Sequence, residues 1–362
     1  MTREIYNVNI ESLSALLSPR LLKSEFPVEV DAANAIVGFR DEISEIINHQ
    51  DERLLIIVGP CSIHDAEVAI DYSERLKILA DKHRDILLIV MRVYFEKPRT
   101  SLGWPGFIVD PDLDGTYNIQ KGLRTARELL IKLGSAGLPV GTEVLDPIIP
   151  QYIADLVSWA AIGARTTESQ THRELSSGLS MPVGFKNGTD GNLSTAVNAV
   201  RSARHSHSFI GINQEGQTCV FKTRGNRNGH IILRGGSSGP NYYDEDIEEA
   251  ENLLADIGVK PSILIDCSHA NSSKNHLRQA RVFHAVLDLL SRGCRSVRGA
   301  MLESNIHPGR QEISRNISNL KYGLSITDSC IGWNETAELI EEAAGKISKI
   351  RSTARQTAGR TP

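Results

Sequence analysis

The sequence predicts an α/β fold, a (β/α)8 TIM barrel, on three observations. Short strand-like runs recur along the chain, each is apolar on both faces, and amphipathic stretches separate them. Eight such runs start at Leu54: Leu54–Gly59, Ile86–Val93, Pro139–Leu145, Ala160–Arg165, Pro182–Lys186, His230–Arg234, Ser262–Asp266 and Val297–Leu302. They are rich in Ile, Val and Leu, as parallel strands buried between two layers must be. Helical spacing fills intervals such as Ala66–His83, Gly122–Ser135, Pro150–Ala160, Asp244–Ile257 and Leu277–Ser291. Eight alternations fit a closed barrel, which takes roughly 250 residues as one unit. An open doubly wound sheet is the alternative that alternation alone leaves.

Residues 51–350 are assigned to the barrel, and two additions stand outside its rhythm. Residues 1–50 form an N-terminal extension for oligomer or regulatory contacts, with helical spacing at Ile36, Phe39, Ile43 and Ile46/Ile47. Residues 207–228 alternate in strand fashion around Glu215-Gly216, which predicts a β-hairpin inserted between strands five and six. The last residues, 351–362, are polar and basic without periodicity and predict a flexible tail.

Composition narrows the function. Of 362 residues, 40% are hydrophobic and 23% charged, so the chain can bury a sizeable core. A net charge of −4 gives no reason to expect nucleic acid or a membrane surface as partner. No apolar run approaches the roughly 20 residues that span a bilayer, and MTREIYNVNI lacks the pattern of a secretory leader. Cys61, Cys219, Cys267, Cys294 and Cys330 are odd in number and scattered, which suits a reduced, cytoplasmic setting.

Chemistry in a barrel sits where strands end. Arg92, Lys97, Arg99, Arg165, Lys186 and Arg234 come from five strand ends of an acidic protein. Converging cations repel unless an anion lies between them, and guanidinium forks suit phosphate or carboxylate. Each alone could pair with a neighbouring acid or face solvent; six together predict a small, multiply anionic substrate. Strand three contributes Glu143 and Asp146 at its C-terminal end. A second group, Cys61, His269, Glu303 and Asp328, offers sulfur, nitrogen and oxygen donors suited to a first-row divalent metal. Far apart in sequence, these four read more readily, on spacing alone, as a core thiol and ordinary hydrogen-bonding groups. His64 and His172 lie near the same face and predict loop-positioning roles.

The stretches GPCSIHD, MRVYFEKPRTSLGWPG, IGARTTESQTHREL, PVGFKNGTDG, HIILRGG, DCSHANSSK, ESNIHPG and SITDSCIGW occur in order. Together they resemble the motif set of class I 3-deoxy-D-arabino-heptulosonate-7-phosphate (DAHP) synthases, from about residue 5 to 345. The resemblance implies condensation of phosphoenolpyruvate with erythrose 4-phosphate, the first step of the shikimate pathway. It implies that Cys61, His269, Glu303 and Asp328 hold a divalent ion (manganese, iron, cobalt or zinc), which polarises the aldehyde oxygen. Cys61 is then a ligand and not a nucleophile. It further implies that Arg92, Lys97, Arg165, Lys186 and Arg234 hold phosphoenolpyruvate, while Lys97-Pro98-Arg99-Thr100 receives the tetrose phosphate. Lys97, close to both substrates, is the expected proton donor. A synthase acting on arabinose 5-phosphate and a catalytically silent barrel are the competing readings; KPRTSLGW and the N-terminal extension favour the four-carbon aldehyde.

The same resemblance implies feedback control. Pro147, Gln151, Leu175, Leu179, Ser180, Phe209, Gly211 and Phe221 are expected to line an effector pocket, with Asn7 reaching in from a neighbouring subunit of a homodimer or homotetramer. Gly211 stands where phenylalanine-sensitive relatives tend to have Ser, and the missing hydroxyl favours tyrosine as effector. The bland alternative is that these residues are barrel-helix packing and hairpin core.

Overall fold

The computed structural model describes residues 5–314 and 316–358, side chains of 354–358 excepted. In chain order its elements are α1 (Pro19–Glu25), α2 (Val30–Ile47), β1 (Leu54–Gly59), α3 (Ala66–Lys82), β2 (Leu87–Arg92), α4 (Ile119–Ser135), β3 (Val140–Glu143), α5 (Pro150–Ile153) and β4 (Trp159–Ile162). Then follow α6 (Gln170–Ser176), β5 (Val183–Lys186), α7 (Leu193–Ala203), the pair β6 (Ser208–Ile212) and β7 (Thr218–Lys222), β8 (Gly229–Leu233), α8 (Asp244–Asp256), β9 (Ile263–Asp266), α9 (Gln279–Ser291), β10 (Val297–Glu303) and α10 (Trp333–Ala358). Eight parallel strands close in the order β1-β10-β9-β8-β5-β4-β3-β2, which makes the predicted barrel. The antiparallel β6–β7 hairpin lies between the fifth and sixth barrel strands.

Local sequence sets each helix. Asp65 caps α3, its Oδ1 accepting from the amides of Glu67 and Val68, and Val68, Tyr72, Leu76 and Leu79 make the buried stripe. In α4, Leu123, Ala126, Leu130 and Leu133 face the barrel. Arg127 is buried on that helix because each of its three nitrogens donates: to the Phe26 and Tyr152 carbonyls and to both oxygens of Asp155.

α2 closes the N-terminal end of the barrel. Its Ile43, Ile46 and Ile47 join Leu55, Ile57, Leu88, Val90 and Trp159 in one buried cluster. Arg298 of β10 caps the C-terminus of α2, donating to the Ile46 carbonyl at 2.9 Å and to the Asp51 carbonyl. Part of the predicted extension is thus the floor of the barrel.

Three expectations change. Residues 150–160 are not one helix: α5 stops at Ile153, a 3-10 turn covers Ala154–Leu156, and Trp159 already pairs with Gly141 in β4. The apolar run fits either period, and strand pairing wins. Two short helices the periodicity did not single out, α6 and α7, flank β5. The backbone of α10 continues to Ala358, into the segment read as a tail.

Candidate active site

The C-terminal ends of the strands enclose a cavity of about 450 Å³. All six predicted cations line it: Arg92, Lys97, Arg99, Arg165, Lys186 and Arg234. Pro98, Glu143, His269, Glu303 and Asp328 share the lining. Thr100 is exposed and outside the lining, its hydroxyl accepting from Arg165 Nε at 3.0 Å.

The deepest cations are paired below the cavity. Arg92 Nη2 donates to Glu303 Oε1 at 3.2 Å, while Arg92 Nη1 has no partner among the described residues. Lys186 Nζ donates to Glu143 Oε2 at 3.0 Å and lies 3.9 Å from Asp266 Oδ2. Gly163 makes room for this pair, because a Cβ there would stand 2.6 Å from Glu143 Oε1. Burial works against charge on Asp266, but the adjacent His269 and Lys186 outweigh it and hold its carboxyl well below the usual range. Arg234 is lowered mainly by burial, which Asp266 only partly offsets.

Beside the cations, Cys61, Glu303 and Asp328 each offer one donor atom, and these atoms all lie within 4.8 Å of one another. His269 stands at the edge of this group: Nε2 is 3.9 Å from Glu303 Oε1, and Nδ1 is 2.9 Å from Asp266 Oδ2 and 2.7 Å from Ser268 Oγ. A buried thiol among carboxylates is an unfavourable anion by itself; burial, then Glu303, pushes Cys61 up to about 12. Lys97 Nζ lies 3.0 Å from Cys61 Sγ and 3.6 Å from Asp328 Oδ2. Burial opposes the charge on Lys97, yet Cys61, Asp328 and Glu303 keep it an ammonium. Asp328 is held at about 2 because Lys97 and His269 overcome its own burial. One sulfur, two carboxylates and a nearby imidazole fit a divalent cation.

A sequence model of the DAHP synthetase I family matches residues 25–341. The chain belongs to that family. Among relatives of DAHP synthetase I type, the phospho-2-dehydro-3-deoxyheptonate aldolase named Tyr-sensitive of Escherichia coli (strain K12) is 52% identical over 336 residues, 93% of this chain and 94% of that one. The phenylalanine-inhibited aldolase of Saccharomyces cerevisiae is 45% identical over 348 residues, with 94% of each chain covered. The solved phospho-2-dehydro-3-deoxyheptonate aldolase of Francisella tularensis SCHU S4 superposes with a TM-score of 0.92 at 46% identity, covering 94% of this chain and 99% of that chain.

On this DAHP synthetase I framework, several lining residues had no assigned role in the sequence. Tyr94 lies in the cavity floor with Arg92 over its ring; Lys274, His276, Gln279 and Arg310 line the rim. Strand-end position was the available signal for Tyr94 and Asp266, whereas Lys274 and Arg310 sit in loops, His276 in a 3-10 turn and Gln279 at the start of α9, where no strand end marks them. The loop after β9 is strained: His269, Ser273 and Lys274 all have positive φ. His172 does position a loop, its Nε2 lying 2.7 Å from the Leu145 carbonyl.

The nine residues expected to line an effector pocket gather only in part. Phe209 and Phe221 form a tilted ring pair 5.5 Å apart, and Gln151 accepts from Gln214 of the hairpin turn at 3.1 Å. Gly211 faces the same ring, since a Cβ there would come within 2.5 Å of Phe221 Cε2. Leu175 is buried in the main core, while Pro147 and Ser180 are exposed. Leu179 borders a recess of only about 20 Å³. Asn7 sits at a turn, its carbonyl accepting from the amide of Ile10.

Proposed function

We propose that this chain is a DAHP synthase that condenses phosphoenolpyruvate with erythrose 4-phosphate and water, releasing phosphate. The observation that carries the reading is the single cavity in which six cations adjoin the Cys61–Glu303–Asp328 donor set. Cys61, Glu303 and Asp328, with His269 completing the set through Nε2, would hold a divalent ion (manganese, iron, cobalt or zinc). Such an ion supplies Lewis acidity at the aldehyde oxygen.

The chain's own groups do the rest. Arg92, Arg165, Lys186 and Arg234 bind the phosphate and carboxylate of the enol substrate, and the orphaned Arg92 Nη1 is one donor ready for it. Arg99, with Pro98 and with Thr100 bonded to Arg165, receives the phosphate of the tetrose. The enol carbon bonds to the aldehyde carbon, and the Lys97 ammonium donates its proton to the aldehyde oxygen. Water then adds at the cationic former enol carbon, and its bond to the phosphate oxygen breaks.

Glu143, paired with Lys186, keeps that ammonium charged and fixed rather than acting as a nucleophile. Cys61 serves as a ligand. The net charge of −4 gives no reason to expect a nucleic-acid partner, and no described helix is long and apolar enough to cross a membrane. A cytoplasmic setting and a homodimer or homotetramer complete the reading.

Tyrosine is the proposed feedback effector. Support comes from the 52% identity to relatives named Tyr-sensitive and from Gly211, whose missing side chain leaves the Phe221 ring in place. Disappearance of phosphoenolpyruvate, followed with erythrose 4-phosphate and separately with arabinose 5-phosphate, tests the activity. Turnover with the tetrose alone, abolished by a chelator and restored by manganese, is expected. Preference for the pentose, or no consumption with either sugar, overturns it.

A further inference from the structure

Below the substrate cavity the barrel changes character within one layer. Trp159, Ile232, Leu264 and Met301 fill its interior with apolar atoms. Directly above lie two buried cations, Arg92 and Lys186, each under 5% exposed. Charges set on an apolar layer lose hydration with nothing in return on that side. Tyr94 is the residue placed between: it belongs to the apolar cluster, yet it also lines the cavity.

Its ring lies 4.0 Å from the Arg92 guanidinium carbon and 5.6 Å from Lys186 Nζ, measured to the ring centroid. Both are within cation–π range, which is most effective when the cation is desolvated. Carboxylates also meet these cations: Glu303 holds Arg92 through Nη2, Glu143 holds Lys186 through Nζ, and Asp266 Oδ2 lies 3.9 Å from Lys186 Nζ. Among the described residues, the Tyr94 ring is the one group that offers both cations an aromatic face. The Tyr94 hydroxyl is buried and without a partner among the described residues, so the hydroxyl neither anchors the ring nor reaches the cavity.

We propose that Tyr94 is a positioning residue whose aromatic face holds Arg92 and Lys186 at the spacing that the substrate's anionic end requires. The assignment rests on the reading of the cavity as a phosphoenolpyruvate site and adds to it a determinant of affinity that makes no polar contact. The ring, and not the hydroxyl, carries the role. Replacing the orphaned hydroxyl by hydrogen removes a buried polar group and keeps the face.

Calorimetric titration of the full-length, manganese-loaded protein with phosphoenolpyruvate, without any aldehyde, reads this directly. Tyr94→Phe is expected to bind as wild type and to unfold at the same or a higher temperature. Tyr94→Leu is expected to bind about thirtyfold more weakly, about 2 kcal/mol at 1.4 kcal/mol per decade. KM for phosphoenolpyruvate should rise accordingly, while kcat falls much less. Fluorinated phenylalanines at position 94 keep shape while draining the ring's negative face; affinity should decline with each fluorine, without the cavity that Leu leaves. Equal binding by Tyr94→Leu and wild type, no trend with fluorine, or a Phe variant as weak as Leu would each overturn the assignment. Wild-type binding of phosphoenolpyruvate without its consumption in the presence of erythrose 4-phosphate would instead refute the condensation and leave the ring's role standing.

Discussion

The two ends of the barrel solve opposite problems with the same eight strands. At the floor, Ile43, Ile46 and Ile47 of α2 meet Leu55, Leu88 and Trp159, and the polar group there is neutral. Trp159 Nε1 donates to His230 Nε2 at 3.1 Å, and burial lowers the imidazole to about 4. At the mouth, Arg92, Lys186, Glu143 and Asp266 are just as buried, yet their neighbours hold them charged. The floor gains free energy by excluding water, whereas the mouth spends it to keep charges where a polyanion can replace water. Stability and function are therefore separable along one axis, as they generally are in this architecture.

The largest expected effect breaks the mouth and spares the floor. Cys61→Ala deletes one donor of the Cys61–Glu303–Asp328 set from a site that makes no contribution to α2 packing. Turnover should fall by more than about a thousandfold, the loss that several kcal/mol of Lewis-acid stabilisation implies. The thermal midpoint measured in chelator should stay near wild type. Substantial turnover in that variant would remove Cys61 from the ligand set. The converse is Trp159→Ala, which opens a cavity among Ile232, Ala161 and Met301 and orphans His230. About 3–5 kcal/mol of stability should be lost in denaturant titration, with KM for phosphoenolpyruvate unchanged in the folded fraction.

Proton linkage sharpens the comparison, because the two ends respond to pH with opposite sign. His230 is depressed from 6.5 to about 4, chiefly by burial, so the unfolded chain binds its proton first. Its contribution is present above 6.5 and is lost as pH falls towards 4, on the order of a few kcal/mol. Glu96, at the mouth, is pushed from 4.5 up to about 8 by burial and then by Asp146. Its contribution is present below 4.5 and is lost as pH rises towards 8. The two slopes oppose each other between about pH 4.5 and 6.5, so unfolding free energy should be nearly flat there and decline from 6.5 to 8. Glu96→Gln should abolish the alkaline decline and unmask a rise between 4.5 and 6.5, and an unchanged profile in that variant would discard Glu96 as its source.

Legibility in the sequence followed the same division. Periodicity exposed β1, β2, β9 and β10 because each carries an apolar run on both faces, with charged residues such as Arg92, Asp266 and Glu303 only at its C-terminal end and Arg298 near the start of β10. Strand ends then placed all six cations in one cavity, since closure of the barrel converts position along a strand into proximity. What closure does not encode stayed hidden. Tyr94 reads as core, and only the three-dimensional stacking of Arg92 above it distinguishes it from any other buried ring. Residues 150–160 misled because Ile153, Leu156 and Val157 suit helix and strand alike, and partner strands decided the matter. The role of α2 as floor was equally invisible: its spacing announces an amphipathic helix but not which surface it covers.

The smallest expected effect lies away from both ends, at the hairpin. Gly211 pairs with Cys219 across the hairpin, and a Cβ at 211 would press on the Phe221 ring at 2.5 and 2.7 Å. Phe221 in turn packs against Phe209, so the pair cannot yield without moving together. Gly211→Ser must therefore displace the Phe221 ring, altering the proposed effector pocket while leaving the barrel untouched. Inhibition by tyrosine should weaken about fivefold, a coupling change of about 1 kcal/mol, while uninhibited kcat and KM stay within twofold of wild type. Inhibition curves with tyrosine and with phenylalanine, measured on both proteins, check it. A serine that leaves both curves where they were would show that the Gly211–Phe221 contact has no part in effector choice, and would return these residues to hairpin packing.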